Sequence, residues 1–268
     1  MTLEDLFSLK GRIALVTGGS RGIGRMIVEG FLAAGAERVY ITARKGGELH
    51  ETAADLGERV VPIQGDISTI EGIDALVAEI SGKEDRLDIL VNNAGAAWGA
   101  EYVDFPEQGW DKVMDLNVKT PFFLTQKLHG LLTAGASQDT PSKVINIASI
   151  DGLRINPWET YSYQASKAAL IHLTRRMAAR LVTDHVYVTG IAPGAFPSNM
   201  NKVARDHAEA SAAGIPNKRV GDKFDMGGSC VYLASRAGNY TVGETIAVDG
   251  GIVHAHLPTH FADPAGGR

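Results

Sequence analysis

The glycine-rich stretch Thr17–Gly24, TGGSRGIG, follows directly on the apolar run Ile13–Val16 and constrains the fold more than any other feature. When a strand ends in glycines and passes into a helix, backbone N–H groups and the positive end of the helix dipole meet at one point. A pyrophosphate binds at such a point. Gly18 permits the tight turn, Gly22 leaves room for the ligand, and Gly24 lets the helix pack closely on the strand. A glycine loop alone is a weak signal, but its place in the first βα unit predicts dinucleotide binding.

Strand and helix patterns alternate along the rest of the chain. Short apolar, β-branched runs predict strands at 13–17, 39–42, 60–63, 89–91, 144–147, 186–191 and 245–248. Amphipathic stretches predict helices at 26–34, 73–80, 110–132 and 166–181. This alternation predicts an α/β fold of the Rossmann type, with a doubly wound seven-stranded parallel sheet in a three-layer α/β/α arrangement. No repeat or linker divides the chain, so residues 1–268 are expected to form a single domain.

Three segments do not fit the alternation. Residues 136–142, ASQDTPS, are expected to form a solvated loop, and residues 195–224 mix helix formers with Gly, Pro and Asn, which favours a substrate lid. The tail 254–268 is expected to be loosely held. Its three histidines lack a set of partner ligands, so no metal site is predicted.

Composition limits the class of protein. A chain of 268 residues with 44% hydrophobic content can bury a full core. The net charge of −5 gives no reason to expect nucleic acid or an anionic membrane as a partner. A single cysteine, Cys230, excludes an internal disulfide, and its apolar neighbours predict a buried thiol. The N-terminus has no long apolar stretch and no span reaches about 18 apolar residues, so we expect a cytoplasmic enzyme that acts on a small molecule.

The end of the second predicted strand indicates which dinucleotide binds. In this fold the position about 20 residues past the last glycine faces the adenosine ribose, and here Ile41–Lys45 contains no acid. Arg44, with Arg21 from the glycine loop, would form a cationic pocket for the extra phosphate of NADP(H). The alternative is that both arginines are solvated surface charges. Asp66, after the third strand, is placed either to accept a hydrogen bond from the adenine amino group or to cap the next helix.

The pair Tyr163 and Lys167 indicates the chemistry. They are four residues apart, so on a helix both side chains lie on one face. The ammonium, together with the positive charge of an oxidised nicotinamide, is expected to lower the pKa of Tyr163 from about 10. Tyr163 would protonate the oxygen of a carbonyl that receives a hydride, while Ser149 holds that oxygen. Tyr161 is the other candidate, but the residue four positions after it is Ala165 and not a lysine. On a helix its side chain points about 200° away from that of Tyr163, which favours a supporting or substrate-contacting role.

These motifs together resemble the short-chain dehydrogenase/reductase family. The resemblance covers roughly residues 9–252 and adds to the glycine loop the segments Asn92–Gly95, Asn117, Ser149, Tyr163–Lys167, Ala192–Gly194 and Val248–Gly251. It implies an NAD(P)-dependent oxidoreductase in which Lys167 also binds the nicotinamide ribose and Asn117 supports a proton-relaying water. It implies cofactor contacts at Gly18, Ser20, Arg21, Gly22, Ile23, Gly24, Arg44, Asp66, Ile67, Asn93, Ala94, Gly95, Tyr163, Lys167, Pro193 and Gly194.

The same resemblance implies a homotetramer. Family members usually pair the helices that correspond to 110–132 and 166–181, and both carry apolar residues on more than one side. The alternative is that these residues only cover the sheet.

Substrate choice is less constrained, because it depends on loops at the carboxyl ends of the strands. Trp98, Trp158 and Phe196 are the predicted substrate contacts beside Ser149, with ordinary packing as the alternative. The loops, and a spacing of fourteen residues from Ser149 to Tyr163 where thirteen is common, look most like rhamnolipid-type β-ketoacyl reductases. That resemblance implies NADPH-dependent reduction of 3-ketoacyl thioesters. The alternatives are a sugar-acid or polyol dehydrogenase, similar to gluconate 5-dehydrogenase, and a non-catalytic NADP-binding regulator.

Overall fold

A seven-stranded parallel sheet forms the centre of the protein in a computed structural model that describes residues 2–255. The strand order is β3-β2-β1-β4-β5-β6-β7, so the chain winds outward from β1 in two directions. The strands are β1 Ile13–Thr17, β2 Arg38–Ala43, β3 Val60–Gln64, β4 Ile89–Asn92, β5 Ser142–Ile147, β6 Val186–Pro193 and β7 Thr245–Val248. All seven were predicted, and the doubly wound fold is confirmed.

Helices cover both faces of the sheet. They are α1 Leu3–Phe7, α2 Gly22–Ala33, α3 Gly46–Leu56, α4 Ile70–Ser81, α5 Glu107–Met114, α6 Thr120–Lys127, α7 His129–Ala134, α8 Tyr161–Leu181, α9 Lys202–Asp206, α10 Ala208–Ala213 and α11 Lys223–Ala234. The central strands β1, β4 and β5 are buried at every residue, as expected for parallel strands covered on two sides. Two apolar clusters, one around Val16, Phe31 and Met226 and one around Leu15, Leu90 and Leu124, form the core.

The predicted helix 110–132 is the main error in the secondary structure. The structure divides it into α5, a π-helical turn at Asp115–Lys119, α6 and α7. Hydrophobic periodicity does not reveal a π turn, because one wider turn shifts the apolar stripe only slightly. Such turns occur often at functional sites. The pattern also did not predict α3 and α11, and α11 packs so closely on α2 that a Cβ at Gly30 would lie 2.7 Å from the Cα of Gly227.

The sheet places the motifs along one edge. The parallel registers align Val91 of β4 with Val16 of β1 and with Ile145 of β5, and Ile147 of β5 with Ile191 of β6. The carboxyl ends of β1, β4, β5 and β6 therefore lie side by side, and the glycine loop, Asn93, Ser149 and Gly194 each follow one of these ends. Within residues 2–255, no helix combines the length and the apolar character that crossing a membrane requires.

The structure describes the predicted lid, residues 195–224, but only the start of the predicted tail. Residues 195–224 contain the short helices α9 and α10. The predicted loose tail, 254–268, lies outside the described residues except for its first two positions. The same region holds two of the three histidines that were predicted not to bind metal. In the part of the chain that is described, no three His, Cys, Asp or Glu side chains form a group that could hold a metal ion.

Candidate active site

The glycine loop leaves the N-terminus of α2 open to a ligand. The residue before the helix, Arg21, makes no side-chain cap, and the first turn carries no acid. Unpaired N–H groups at such an end attract an anion. Gly18 has a φ of +65°, which L side chains rarely adopt, and a Cβ on Gly24 would lie 2.1 Å from the carbonyl oxygen of Gly18. Both glycines are therefore required by the shape of the loop itself.

Asn93 connects the end of β4 to the glycine loop. Its Nδ2 donates to the carbonyl oxygens of Thr17 and Gly18, at 2.7 and 3.2 Å. In return, the hydroxyl of Thr17 accepts from the backbone nitrogens of Asn93 and Ala94, at 2.9 and 3.0 Å. Thr17 was not among the predicted site residues. Its position as the last residue of β1 is the sequence signal that could have indicated this role.

The predicted cationic pocket is only partly formed as expected. Arg44 is exposed, and among the described residues it belongs to no ion pair. Arg21, in contrast, forms an ion pair with Glu48 of α3 at 2.8 Å. The sequence could not show that pairing, because it depends on how α3 packs beside the loop. For Asp66, burial raises the pKa, but hydrogen bonds from Ser68 and the charge of Arg44 hold it below its usual value.

Asp66 does not cap α4 with its side chain. Thr69 does so instead, by accepting from the backbone nitrogen of Gly72. The structure therefore removes the capping alternative and leaves the Asp66 carboxylate, held by Ser68, near Arg44. Ile67 is buried, and its carbonyl oxygen accepts from the hydroxyl of Thr120 at 2.7 Å.

Asn117 lies in the π turn and is fixed by three hydrogen bonds. Its Oδ1 accepts from the backbone nitrogen of Ala96 at 2.8 Å, and its Nδ2 donates to the carbonyl oxygen of Ala96 and to the hydroxyl of Ser166, both at 2.9 Å. A Cβ added to Gly95 would lie 3.2 Å from Asn117 Oδ1 and 3.7 Å from Lys167 Nζ. The segment after β4, the π turn and α8 therefore converge on one small volume.

Lys167 and Tyr163 lie together on the first turns of α8. Lys167 is buried, and its Nζ donates to the carbonyl oxygen of Ile147 at 2.8 Å and lies 5.7 Å from the centre of the Tyr163 ring. Ser149 follows β5, and its hydroxyl is close enough to the Tyr163 phenol to favour the phenolate. The structure thus brings Ser149, Tyr163 and Lys167 together with Asn117, although a fourteen-residue spacing separates the serine from the tyrosine.

The pKa of Tyr163 differs from the sequence-based expectation. Burial, together with the negative charge of Asp151, raises it to about 12, and the hydrogen bond with Ser149 opposes the rise. Burial also lowers the pKa of Lys167 to about 8. In the protein without its cofactor, desolvation of the phenolate outweighs the hydrogen bond from Ser149. The expected lowering included the charge of an oxidised nicotinamide, so it stays a prediction for the complex.

Tyr161 belongs to a different environment. Its hydroxyl donates to Glu159 at 2.9 Å, and its ring meets those of Tyr102 and Phe105 edge to face at 5.6 and 5.7 Å. The hydrogen bond with Glu159 raises its pKa. These contacts support Tyr163 as the tyrosine of the site.

The three predicted aromatic substrate contacts have separate positions. The ring of Trp98 packs on α5, because a Cβ at Gly109 would lie 2.7 Å from it, and Lys112 Nζ lies 5.3 Å from the ring centre. Phe196 is 2% exposed and packs in the core, yet it also lines a small cavity with Ile215, so its role as a substrate contact stays a prediction. Trp158 is 66% exposed and remains available to a ligand. Packing contacts are therefore present for Trp98 and Phe196, as the alternative describes, and substrate contact stays a prediction for all three rings.

The remaining predicted contacts lie around the loop. Ser20 is buried, and its carbonyl oxygen accepts from Thr52, whereas Ile23 packs against the core. Pro193 ends β6, and the backbone nitrogen of Gly194 donates to the carbonyl oxygen of Val248. Ser198 was not predicted, yet its Cβ lies 3.2 Å from where a Cβ of Gly22 would be, so the segment after β6 reaches the glycine loop.

A dinucleotide-type glycine loop facing a Ser–Tyr–Lys–Asn cluster across one sheet edge defines an oxidoreductase of the Rossmann class. Residues 18–253 match the family model described as enoyl-(acyl carrier protein) reductase. The chain belongs to the short-chain dehydrogenase/reductase family.

Two curated relatives have different activities. The chain is 46% identical to the rhamnolipids biosynthesis 3-oxoacyl-(acyl-carrier-protein) reductase of Pseudomonas aeruginosa, over 93% of this chain and 99% of the relative. It is 37% identical to the 2-dehydro-3-deoxy-D-gluconate 5-dehydrogenase of Escherichia coli, over 91% of this chain and 96% of the relative. The solved RhlG/NADP active-site complex of P. aeruginosa superimposes with a TM-score of 0.89 at 44% identity, covering 93% of this chain and 99% of that one.

Proposed function

We propose that this protein is an NADPH-dependent carbonyl reductase that converts 3-ketoacyl thioesters to 3-hydroxyacyl thioesters. The observation that carries the proposal is the convergence of Ser149, Tyr163 and Lys167 beside the open glycine loop. The reductase of P. aeruginosa, 46% identical over nearly the whole chain, supports the choice of a 3-ketoacyl substrate. A solved relative that is 44% identical binds NADP, which supports the cofactor.

The residues around the loop fit NADP(H). The N-terminus of α2, which lacks a side-chain cap, suits a pyrophosphate, and Arg44 suits the 2′-phosphate because the end of β2 presents no acid. Arg21 would serve the phosphate less directly, since Glu48 already pairs with it. Asp66 is held near the same end of the sheet and would accept from the adenine amino group. Lys167 would donate to the nicotinamide ribose.

Bound NADPH supplies a hydride to the carbonyl carbon of the substrate. The Ser149 hydroxyl would donate a hydrogen bond to the substrate oxygen while negative charge develops on it. The Tyr163 phenol would then protonate that oxygen, and its pKa of about 12 keeps it protonated at neutral pH. Lys167, with a pKa of about 8, would be mostly charged there and would stabilise the phenolate that remains. Asn117 would hold the water through which the proton is replaced.

Asp151 favours a thioester over a sugar acid. Its carboxylate is close enough to raise the pKa of the Tyr163 phenol, so it would also repel a carboxylate on a bound substrate. A 3-ketoacyl thioester is uncharged near its reacting carbon, whereas a sugar acid carries its carboxylate within a few bonds. The sugar-acid alternative still has support from the E. coli dehydrogenase at 37% identity.

A substrate panel tests the proposal. Purified protein with NADPH would be assayed against 3-ketoacyl thioesters and against 5-ketogluconate, with NADH in parallel. We expect turnover of the thioesters and a preference for NADPH. Turnover of 5-ketogluconate alone would establish the sugar-acid alternative. NADPH binding without turnover of either class would support a regulator.

The same proposal includes a cytoplasmic homotetramer with residues 195–224 as the lid. The groove between α6 and α8 supports association, because it is lined by Phe122, Leu173, Met177 and Leu181, and Phe122 is 38% exposed. A second copy of the chain would cover these apolar side chains. Light scattering should give four chains per particle, and a monomer would contradict the proposed assembly. The contact of Ser198 with the glycine loop supports the lid.

A further inference from the structure

The loop between Ser149 and Tyr163 contains a buried amide that the proposed chemistry does not use. Asn156 is 6% exposed, and its Nδ2 finds no hydrogen-bond acceptor among the described residues. A buried donor without an acceptor is unfavourable, and few occur in a native protein. The group is therefore free to donate to an acceptor from outside the chain, either water or a ligand.

The orientation of this amide is fixed by its neighbours. The backbone N–H of Trp158, which can only donate, bonds to Asn156 Oδ1 at 2.9 Å. The carbonyl oxygen of Trp158, which can only accept, takes a hydrogen bond from Gln164 Nε2 at 3.2 Å, and the same Nε2 donates to Asn156 Oδ1 at 3.2 Å. Exchanging oxygen and nitrogen in either side chain would oppose two donors or two acceptors. Asn156 Nδ2 is therefore the free group, and it is a donor.

The loop also lies beside the reacting groups. It begins at Ser149, and Gln164, which anchors it, follows Tyr163 directly on α8. Its exposed side chains are apolar at Leu153, Ile155 and Trp158, which are 39%, 88% and 66% exposed. Arg154 and Glu159 are exposed in the same loop, so charged groups interrupt the apolar surface. One fixed donor beside apolar side chains suits a ligand with one more carbonyl group and a hydrocarbon tail.

We propose that Asn156 Nδ2 binds the thioester carbonyl oxygen of a 3-ketoacyl substrate, and thereby selects substrates with a second carbonyl two carbons from the ketone. This inference rests on the proposed function, in which Ser149 and Tyr163 take the ketone oxygen. The second oxygen then needs a donor of its own, and the ionised carboxylate of Asp151 can only accept. Asn156 is accordingly a substrate-binding residue and takes no part in proton transfer.

The substitution Asn156→Asp tests the assignment. Asp keeps an oxygen for Trp158 and Gln164 but removes the free donor. Steady-state kinetics with NADPH would compare a 3-ketooctanoyl N-acetylcysteamine thioester with its thioether analogue, in which a methylene replaces the thioester carbonyl. We expect kcat/KM for the thioester to fall about 10- to 100-fold. We expect the value for the thioether to change less than about twofold, because that ligand makes no bond to Asn156.

Controls separate this role from a structural one. Asn239→Asp makes the same change just before β7, at the opposite edge of the sheet, and should leave both substrates unaffected. The NADPH affinity of Asn156→Asp should match that of the parent protein, and circular dichroism at the assay temperature should show a folded variant even if its unfolding midpoint is lower. If this variant does not fold, the parent protein still tests the role of Asn156. Its kcat/KM should be higher for the thioester than for the thioether by a similar factor.

The outcomes distinguish the two proposals. Equal losses for thioester and thioether in Asn156→Asp, or no loss for either, would overturn the role of Asn156 and leave the reductase assignment intact. If Asn156→Asp changed the oligomeric state but not the preference for thioester over thioether, the role of Asn156 would likewise be overturned. A second copy of the chain would then supply the acceptor for Asn156 Nδ2. Absence of thioester reduction by the parent protein would overturn both.

Discussion

Replacing Lys143 with Met should stabilise the protein at neutral and acidic pH. Lys143 lies on β5 between β4 and β6 and is 3% exposed. Its Nζ has no hydrogen-bond partner within the described residues and lies 5.3 Å from the centre of the Tyr187 ring. Burial, assisted by the charge of Arg12, lowers the pKa of this amine from 10.5 to about 7. Methionine has a similar length and no charge to desolvate.

The size of the effect follows from the pKa. A fall from 10.5 to about 7 corresponds to about 5 kcal/mol below pH 7, at about 1.4 kcal/mol for each unit of pKa. Between those pH values the unfolded chain binds the proton and the folded chain does not, so the free energy of unfolding rises with pH across that window. The lost contact with Tyr187 removes about 0.5 to 1 kcal/mol of the gain. We expect a net gain of about 4 kcal/mol at pH 6 that vanishes near pH 10.5.

Urea unfolding at pH 6 and pH 9, at one fixed protein concentration, measures this difference. The matched control is Lys83→Met, because Lys83 is exposed just after α4 and, among the described residues, pairs only with Glu79 of that helix. That control should change the free energy of unfolding by no more than about 0.5 kcal/mol. A Lys143→Met variant that is no more stable at pH 6, or whose gain is the same at pH 9, would refute the reasoning from burial.

Three further predictions concern the site. Tyr163→Phe should lower kcat by about 100- to 10,000-fold while NADPH affinity stays within about twofold, since it removes only the proton donor; activity close to that of the parent would show that another group donates. Arg44→Ala should raise the KM for NADPH about 10- to 100-fold and leave that for NADH unchanged, so an equal effect on both would exclude a 2′-phosphate contact. Asp151→Asn should lower the pKa of Tyr163, and alcohol oxidation by NADP⁺ should then reach half its maximal rate at a lower pH than in the parent. An unchanged pH–rate profile would contradict this.

Local sequence determined much of the site. The glycine positions follow from backbone conformation and close approach, as at Gly18 and Gly24, and these are properties of a short segment. The helical spacing of Tyr163 and Lys167 places both on one face, whatever surrounds them. Hydrophobic runs predicted all seven strands, because a parallel strand covered on both faces must be apolar along its length.

Other features were decided by tertiary packing. The core position of Phe196, the stacking of Trp98 on Gly109 and the pairing of Arg21 with Glu48 join segments that are distant in the chain or separated by a helix. No local pattern states which neighbour an aromatic ring or a guanidinium will meet.

The electrostatic character of the site has the same origin. The sequence predicted a lowered pKa for Tyr163 from Lys167 and an oxidised nicotinamide, whereas in the protein without cofactor the fold raises it to about 12 by removing solvent from the phenol. Desolvation, and the free donor of Asn156, depend on everything that packs around a group. The sequence alone therefore determined which chemical groups meet at the sheet edge, and the tertiary structure decided their solvation and hence their protonation.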